Sequence, residues 1–198
     1  MIWLTILSVL VQAYWQSKAP ADWNDLELAR FLVDSPWAQM AAPSAKGGSF
    51  PPIAVYLATA GPVQKAVAER ARRIALRRPN AANDFLREEF EAWFADNSAG
   101  HVILAARVGN NEAFTSEPEM RRMKQDSVLD LGRARLKMSG YFPPTSRDPY
   151  LYLAFPRAPA TVAEKSVGFD LYLPGVPGPF RRADFKIRDM LVDGKLEL

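Results

Sequence analysis

Over the last third of the chain, apolar and polar residues alternate one by one. Ala134, Leu136 and Met138 are interleaved with Arg133, Arg135 and Lys137. Leu151, Leu153 and Phe155 alternate with Tyr150, Tyr152 and Ala154. Val167, Phe169, Leu171 and Leu173 alternate with Gly168, Asp170 and Tyr172. Ala183, Phe185 and Ile187 alternate with Arg182, Asp184, Lys186 and Arg188. A period of two marks strands with one buried and one wet face, and short links between them predict an antiparallel sheet.

Earlier in the chain the period is longer. Leu86, Phe90, Trp93 and Phe94 recur at helical spacing within a predicted helix from about Ala81 to Ala95. A helix from Pro62 to about Arg78 precedes it, after the turn at Gly61. Two short apolar runs, Ile53 to Ala58 and Val102 to Val108, read as buried strands. Asn24 with Glu27 forms a capping box, which starts a helix reaching about Val33. Ser35 with Pro36 predicts that this helix restarts at Trp37. Ser116 with Glu119 predicts another capped helix, ending near Gln125. The stretch Ala42 to Pro52 is rich in Pro, Gly and Ser and reads as a loop. Helices come first and strands last, so the expected class is α+β, with N-terminal helices and a mainly antiparallel sheet that carries its helices on one face.

The N-terminus changes the picture of destination. Ile2 to Ala13 reads IWLTILSVLVQA and carries no charge. A secretory core of about 7–15 apolar residues fits this run, whereas a membrane span needs about 20. Val11 and Ala13 supply small residues for cleavage after Ala13. Residues 1–13 are therefore expected to be a signal peptide and residues 14–198 one α+β domain. The expected location is the periplasm or the cell exterior, without integral membrane anchoring. The chain of 198 residues is 48% apolar and 24% charged, a balance that belongs to a folded domain. Cysteine is absent, which excludes disulfides, thiol nucleophiles and thiolate zinc sites. The net charge of +3 is too small to argue for nucleic acid, and export argues against that partner.

Several of these segments resemble a family of uncharacterised exported bacterial proteins. The likeness rests on Tyr14-Trp15 with Lys18, on Trp23-Asn24-Asp25-Leu26-Glu27, on Asp34-Ser35-Pro36-Trp37-Ala38 and on the closing Met190-Leu191-Val192-Asp193-Gly194. Asn24 stands where that family usually carries Ser or Thr, a change that keeps the cap chemistry. The resemblance implies an exported globular protein and brings no activity and no site residues.

No catalytic constellation stands out. His101 is the one histidine, so any Ser-His-Asp device must run through it, and nothing nearby in sequence supports one. One His without Cys makes zinc improbable, and no calcium loop is present. Thr59-Ala60-Gly61-Pro62 joins a strand to a helix but lacks the phosphate-cradling glycine patterns. No metal or cofactor is expected. The helix after Pro62 is basic, with Lys65, Arg70, Arg72, Arg73, Arg77 and Arg78 against Glu69. The next is acidic, with Asp84, Glu88, Glu89, Glu91 and Asp96 against Arg87, so the two are expected to answer each other across a hairpin. Glu88 and Glu91 lie one turn apart and would serve a carboxylate hydrolase, although charges on a helix face are ordinarily only solvated. Trp37 reads as a core anchor, with a stacking platform as the sharper alternative.

The wet face of the sheet is the expected binding surface. It would gather Arg133, Arg135, Lys137, Tyr150, Tyr152, Tyr172, Lys186 and Arg188, with Arg182 beside them. Tyr offers rigid contact area, and Arg stacks on it and forks onto anions. The expected function is a non-enzymatic exported interaction domain that binds a protein, an anionic polysaccharide or a membrane surface through this face. The alternatives are an exported carboxylate-dependent hydrolase, with His101 as a further candidate, and a domain with a small-ligand pocket between helices and sheet.

Overall fold

The computed structural model describes residues 14–44, 49–78, 84–158 and 165–198. The expected signal segment, 1–13, lies outside the described residues. Among the described residues, no helix is long and apolar enough to cross a membrane. In chain order the elements are α1 (Tyr14–Ser17), α2 (Asp25–Phe31), β1 (Ala38–Pro43), β2 (Ile53–Leu57), α3 (Gly61–Arg77), α4 (Phe85–Asn97) and β3 (His101–Arg107). They continue with α5 (Glu117–Asp126), β4 (Val128–Asp130), β5 (Arg135–Lys137), β6 (Gly140–Phe142), β7 (Tyr150–Pro156), β8 (Ser166–Tyr172) and β9 (Phe180–Lys186). A short hairpin, β10 (Leu191–Val192) and β11 (Lys195–Leu196), closes the chain. The class is α+β, with β1 to β3 interleaved among the helices rather than following them.

Nine strands form one antiparallel sheet in the order β5-β4-β8-β9-β1-β2-β3-β7-β6. This sheet curls on itself at two seams. In β1, Ala38 to Ala41 pair with β2, while Ala42 and Pro43 pair with β9. The second seam is the stretch 135–142, whose first part pairs with β4 and whose second part pairs with β7. Between them Met138 N–H donates to the Ser127 carbonyl and Ser139 N–H to that of Ala154. Both ends of the strand order thus belong to one bent stretch of chain, and the sheet encloses its own interior.

The alternation of the sequence maps onto inside and outside. Leu57, Leu104 and Leu153 lie side by side in the β2-β3-β7 register and are fully buried inside. Phe155 meets Phe169 across the interior at 5.5 Å between ring centroids, and Phe169 meets Phe185 at 5.8 Å. The helices pack on the outer face, α3 and α4 over β2, β3 and β7, and α5 over β8.

Local signals explain the helix ends. Asn24 and Glu27 make the reciprocal capping box at the start of α2, with both bonds at 2.8 Å. Ser116 precedes α5, yet its side chain makes no capping bond. No helix restarts at Trp37. Ser35 and Ala38 exchange backbone hydrogen bonds of 2.9 and 3.1 Å, so Pro36-Trp37 sits in a tight turn leading into β1. A long-range contact decides this, because the Trp37 indole N–H donates to the Glu197 carbonyl at 2.9 Å. The N-terminal aromatic residues and the C-terminal end of the chain meet here. Tyr14, Trp15, Trp23, Phe31 and Trp37 form a chain of ring contacts beneath the β10-β11 hairpin.

Among the described residues, no ion pair joins α3 to α4. Glu69 binds Arg72 and Arg73 of its own helix, and Arg73 and Arg77 reach Asp25 of α2. Arg87 of α4 binds Glu91 and Asp148. A cleft separates the two helices instead.

Candidate functional site

The floor of that cleft follows from strand register. Tyr56 of β2 faces Ala105 of β3, Ala105 faces Tyr152 of β7, and Tyr152 faces Phe142 of β6. The same register puts all four on the outer face. Ala105 stands between the two tyrosines in this register, and both tyrosines line the cleft. The walls come from one stripe of each helix. Gln64, Val67, Ala68 and Ala71 of α3 and Arg87, Phe90, Glu91 and Phe94 of α4 line it, both sets at the i, i+3, i+4, i+7 spacing that shares one helical face. The volume is about 220 Å³. A cavity of roughly 150 Å³ holds a benzene ring, so there is room for a ring or short chain with a small head group. Phe90 stacks on Tyr152 at 3.9 Å, with the rings 20° from parallel, and fixes one wall.

A polar string runs along this floor. Arg87 Nη1 donates to Tyr152 Oη and to Asp148 Oδ2, both at 2.6 Å, and Arg87 Nε donates to Glu91 Oε1 at 2.7 Å. Tyr152 Oη donates in turn to Asp148 Oδ2 at 2.8 Å. The Thr145 hydroxyl accepts from the Asp148 N–H at 2.9 Å, which sets the carboxylate, and donates to Asp84 at the start of α4. On the α3 side, Arg70 Nη1 reaches Tyr150 Oη at 3.3 Å. The Tyr56 and Tyr150 rings lie 5.0 Å apart and link the two halves.

Tyr56 breaks the pattern. Its hydroxyl is shut from solvent and makes no hydrogen bond among the described residues. Tyr152 Oη lies near enough to affect its ionisation, yet it bonds Arg87 and Asp148 and makes no hydrogen bond with Tyr56. Burial pushes the Tyr56 phenol up to about 12, so it holds its proton at neutral pH and acts as a donor. Burial raises Tyr152 too, helped by neighbouring Tyr56 and Asp148. Burial opposes the Arg87 charge, but Tyr152, Glu91 and Asp148 outweigh it and raise its pKa.

The surface expected from the sequence divides. Tyr150, Tyr152 and Tyr172 point outward, as the alternation requires, but are buried at 6%, 4% and 3% exposure. α3 and α4 cover the first two. Arg122 of α5 lies over the Tyr172 ring, and Glu119 accepts from its hydroxyl. Arg133, Arg135, Lys137, Lys186 and Arg188 are exposed. Arg135 and Arg182 are tied to Asp170, and Arg182 also to Asp184 and Asp130, so acid answers base along this face. No tyrosine platform therefore stands among these cations. Trp37 is 3% exposed and is a core anchor rather than a stacking surface. His101 packs against Trp93 at 5.2 Å, with its Nδ1 3.0 Å from the Asn97 carbonyl. Glu91 is occupied by Arg87, and Glu88 is solvated. No group of three or more His, Asp or Glu among the described residues is arranged to hold a metal ion.

Sequence reasoning placed Tyr150 and Tyr152 correctly outward but passed over Tyr56, Arg70 and Arg87 as partners. Tyr56 sits in an apolar run that reads as wholly buried, and its pairing depends on a strand about a hundred residues away. A comparison with protein-family models finds no match for the chain, and comparisons with curated proteins and with solved structures find none either.

Proposed function

We propose that this protein is a small-molecule-binding domain that takes its ligand in the cleft between α3, α4 and the outer face of β2, β3 and β7. The observation that carries the reading is the cleft itself, about 220 Å³ walled by Val67, Ala68, Ala71, Phe90 and Phe94 and edged by Gln64, Arg87, Glu91 and Tyr152. Small-molecule sites are concave, mostly apolar spaces with a few polar groups that fix orientation. Supporting this, the cleft is preformed. Strand register sets its floor, and the Phe90–Tyr152 stack and the Arg87 bonds set its α4 wall.

Uptake of an uncharged apolar fluorophore, N-phenyl-1-naphthylamine, tests the reading. The wild type is expected to enhance its fluorescence saturably. Ala68→Trp, on the open α3 wall where the helix tolerates bulk, is expected to abolish this with the fold intact by circular dichroism. Uptake absent in the wild type, or unchanged by Ala68→Trp, refutes the cleft as the site.

Export belongs to the same proposal. The uncharged run Ile2 to Ala13, and the likeness of Tyr14 to Ala38 to exported proteins, support a binding domain working outside the cytoplasm. A mature chain beginning at Tyr14 is expected by N-terminal sequencing, and an intact Met1 in the mature protein refutes it.

A further inference from the structure

The charges around the cleft already answer one another. Of the residues that line it, only Arg87 and Glu91 are charged at neutral pH. They bind each other, with Arg87 Nε donating to Glu91 Oε1 at 2.7 Å. Arg87 is also tied to Asp148, outside the lining, at 2.6 Å. The Tyr56 and Tyr152 phenols keep their protons, because burial raises both. An anionic head group would find Arg87 already held by two carboxylates. A cationic one would meet Glu91 only beside the guanidinium that neutralises it, and water screens Glu91, which is 59% exposed. Either charge would surrender its hydration without gaining a free counterion, which is unfavourable. An uncharged ligand avoids that cost.

The walls differ in kind. The α4 side presents the rings of Phe90 and Phe94, with centroids 5.6 Å apart and planes inclined by 60°. The α3 side presents the small side chains of Val67, Ala68 and Ala71. A flat ring fits between methyl groups and aromatic rings, and ring-on-ring contact adds to simple burial. Near the start of α3 stands Gln64, which lines the cleft and is exposed. Its Nε2 donates to the Thr59 carbonyl at 2.8 Å, and a carbonyl can only accept, so the amide is held one way round. Its Oε1 accepts no hydrogen bond among the described residues and is an open, uncharged acceptor.

We propose that the ligand is an uncharged aromatic compound carrying a hydroxyl or N–H group, with its ring between the Val67–Ala71 wall and Phe90 and Phe94 and its donor on Gln64 Oε1. This inference rests on the cleft reading of the preceding section, and the two fail differently in one experiment.

Protein loaded with N-phenyl-1-naphthylamine is titrated at pH 7 with 3-phenylpropan-1-ol, propylbenzene, 3-phenylpropanoate and 3-phenylpropan-1-amine. The alcohol is expected to displace the fluorophore at the lowest concentration, with propylbenzene about threefold weaker for want of a donor. The acid and the amine are each expected to need at least about tenfold more than the alcohol, because each must shed water from a charge. Gln64→Leu is expected to erase the advantage of the alcohol over propylbenzene and to leave both charged compounds weak. An acid or amine that displaces as well as the alcohol overturns the uncharged ligand. An alcohol no better than propylbenzene, or an advantage that survives Gln64→Leu, overturns the donor contact. In each case fluorophore uptake that is still blocked by Ala68→Trp leaves the cleft standing, whereas loss of that dependence removes the cleft as well.

Discussion

Replacing Tyr56 by Phe should stabilise the unliganded protein, against the usual rule for buried tyrosines. An ordinary buried Tyr hydroxyl forms a hydrogen bond, and its removal costs about 1 kcal/mol. Tyr56 is 1% exposed and its hydroxyl has no hydrogen-bond partner among the described residues, so the wild type carries the desolvation cost with no bond to offset it. Deleting the oxygen recovers about 1–3 kcal/mol, less a small void. For a chain of this length each kcal/mol shifts Tm by about 2–4 °C. Tyr152→Phe is the internal control, one strand beyond Ala105 on the same face. Its hydroxyl accepts from Arg87 at 2.6 Å and donates to Asp148 at 2.8 Å, so its loss should cost about 1.5–3 kcal/mol. Urea titrations of both variants at pH 7, in protein stripped of ligand by refolding, should give midpoints shifted in opposite directions with equal slopes. A loss of 1 kcal/mol or more in Tyr56→Phe would refute the reasoning, since it would show that the hydroxyl is hydrogen-bonded in the empty cleft.

Two further predictions concern the helices. The hydrogen bonds from Arg72 and Arg73 hold the Glu69 carboxyl down at about 2, against 4.5 for the free side chain. A depressed folded value means that this stabilisation is fully present above pH 4.5 and is lost as the pH falls toward 2. Glu69→Gln should therefore lower the urea midpoint at pH 7 and flatten its decline over that acid range, and parallel curves for variant and wild type would contradict the assignment. At the helix starts, Asn24→Ala removes the side-chain acceptor of the Glu27 N–H and should cost about 1 kcal/mol, seen as a fall in Tm of about 2–4 °C. Ser116→Ala should leave Tm unchanged, because that side chain makes no cap bond, and equal effects at the two sites would show that the caps are not what differs.

Much of the fold was legible because its signals are local. The Asn24–Glu27 box, the turn at Gly61 and the alternating runs of β7, β8 and β9 each depend on neighbours within a few residues. β1 was passed over because Ala38 to Ala41 follow an expected helix start and Ala42 and Pro43 fall in a run with the composition of a loop, whereas pairing with β2 and then β9 makes the whole run a strand. The restart of a helix at Trp37 was expected from Ser35-Pro36 and fails because a hydrogen bond to Glu197 outweighs a local preference.

By itself the sequence determined the class, the starts of α2 and α3 and the two faces of each late strand, since backbone geometry alone ties a period of two to alternate sides. Only the tertiary structure decided what lies against the outer face. Alternation separates Tyr150 and Tyr152 from Leu151 and Leu153, but an aromatic ring fits a wet surface and a helix-covered one equally well. The curl of the sheet, the seating of α3 and α4, and the register that sets Tyr56 beside Ala105 and Tyr152 join residues far apart in the chain. Such contacts form only when the whole core closes, and the cleft lies where that closure sets Tyr56 and Tyr152 against the stripes of α3 and α4.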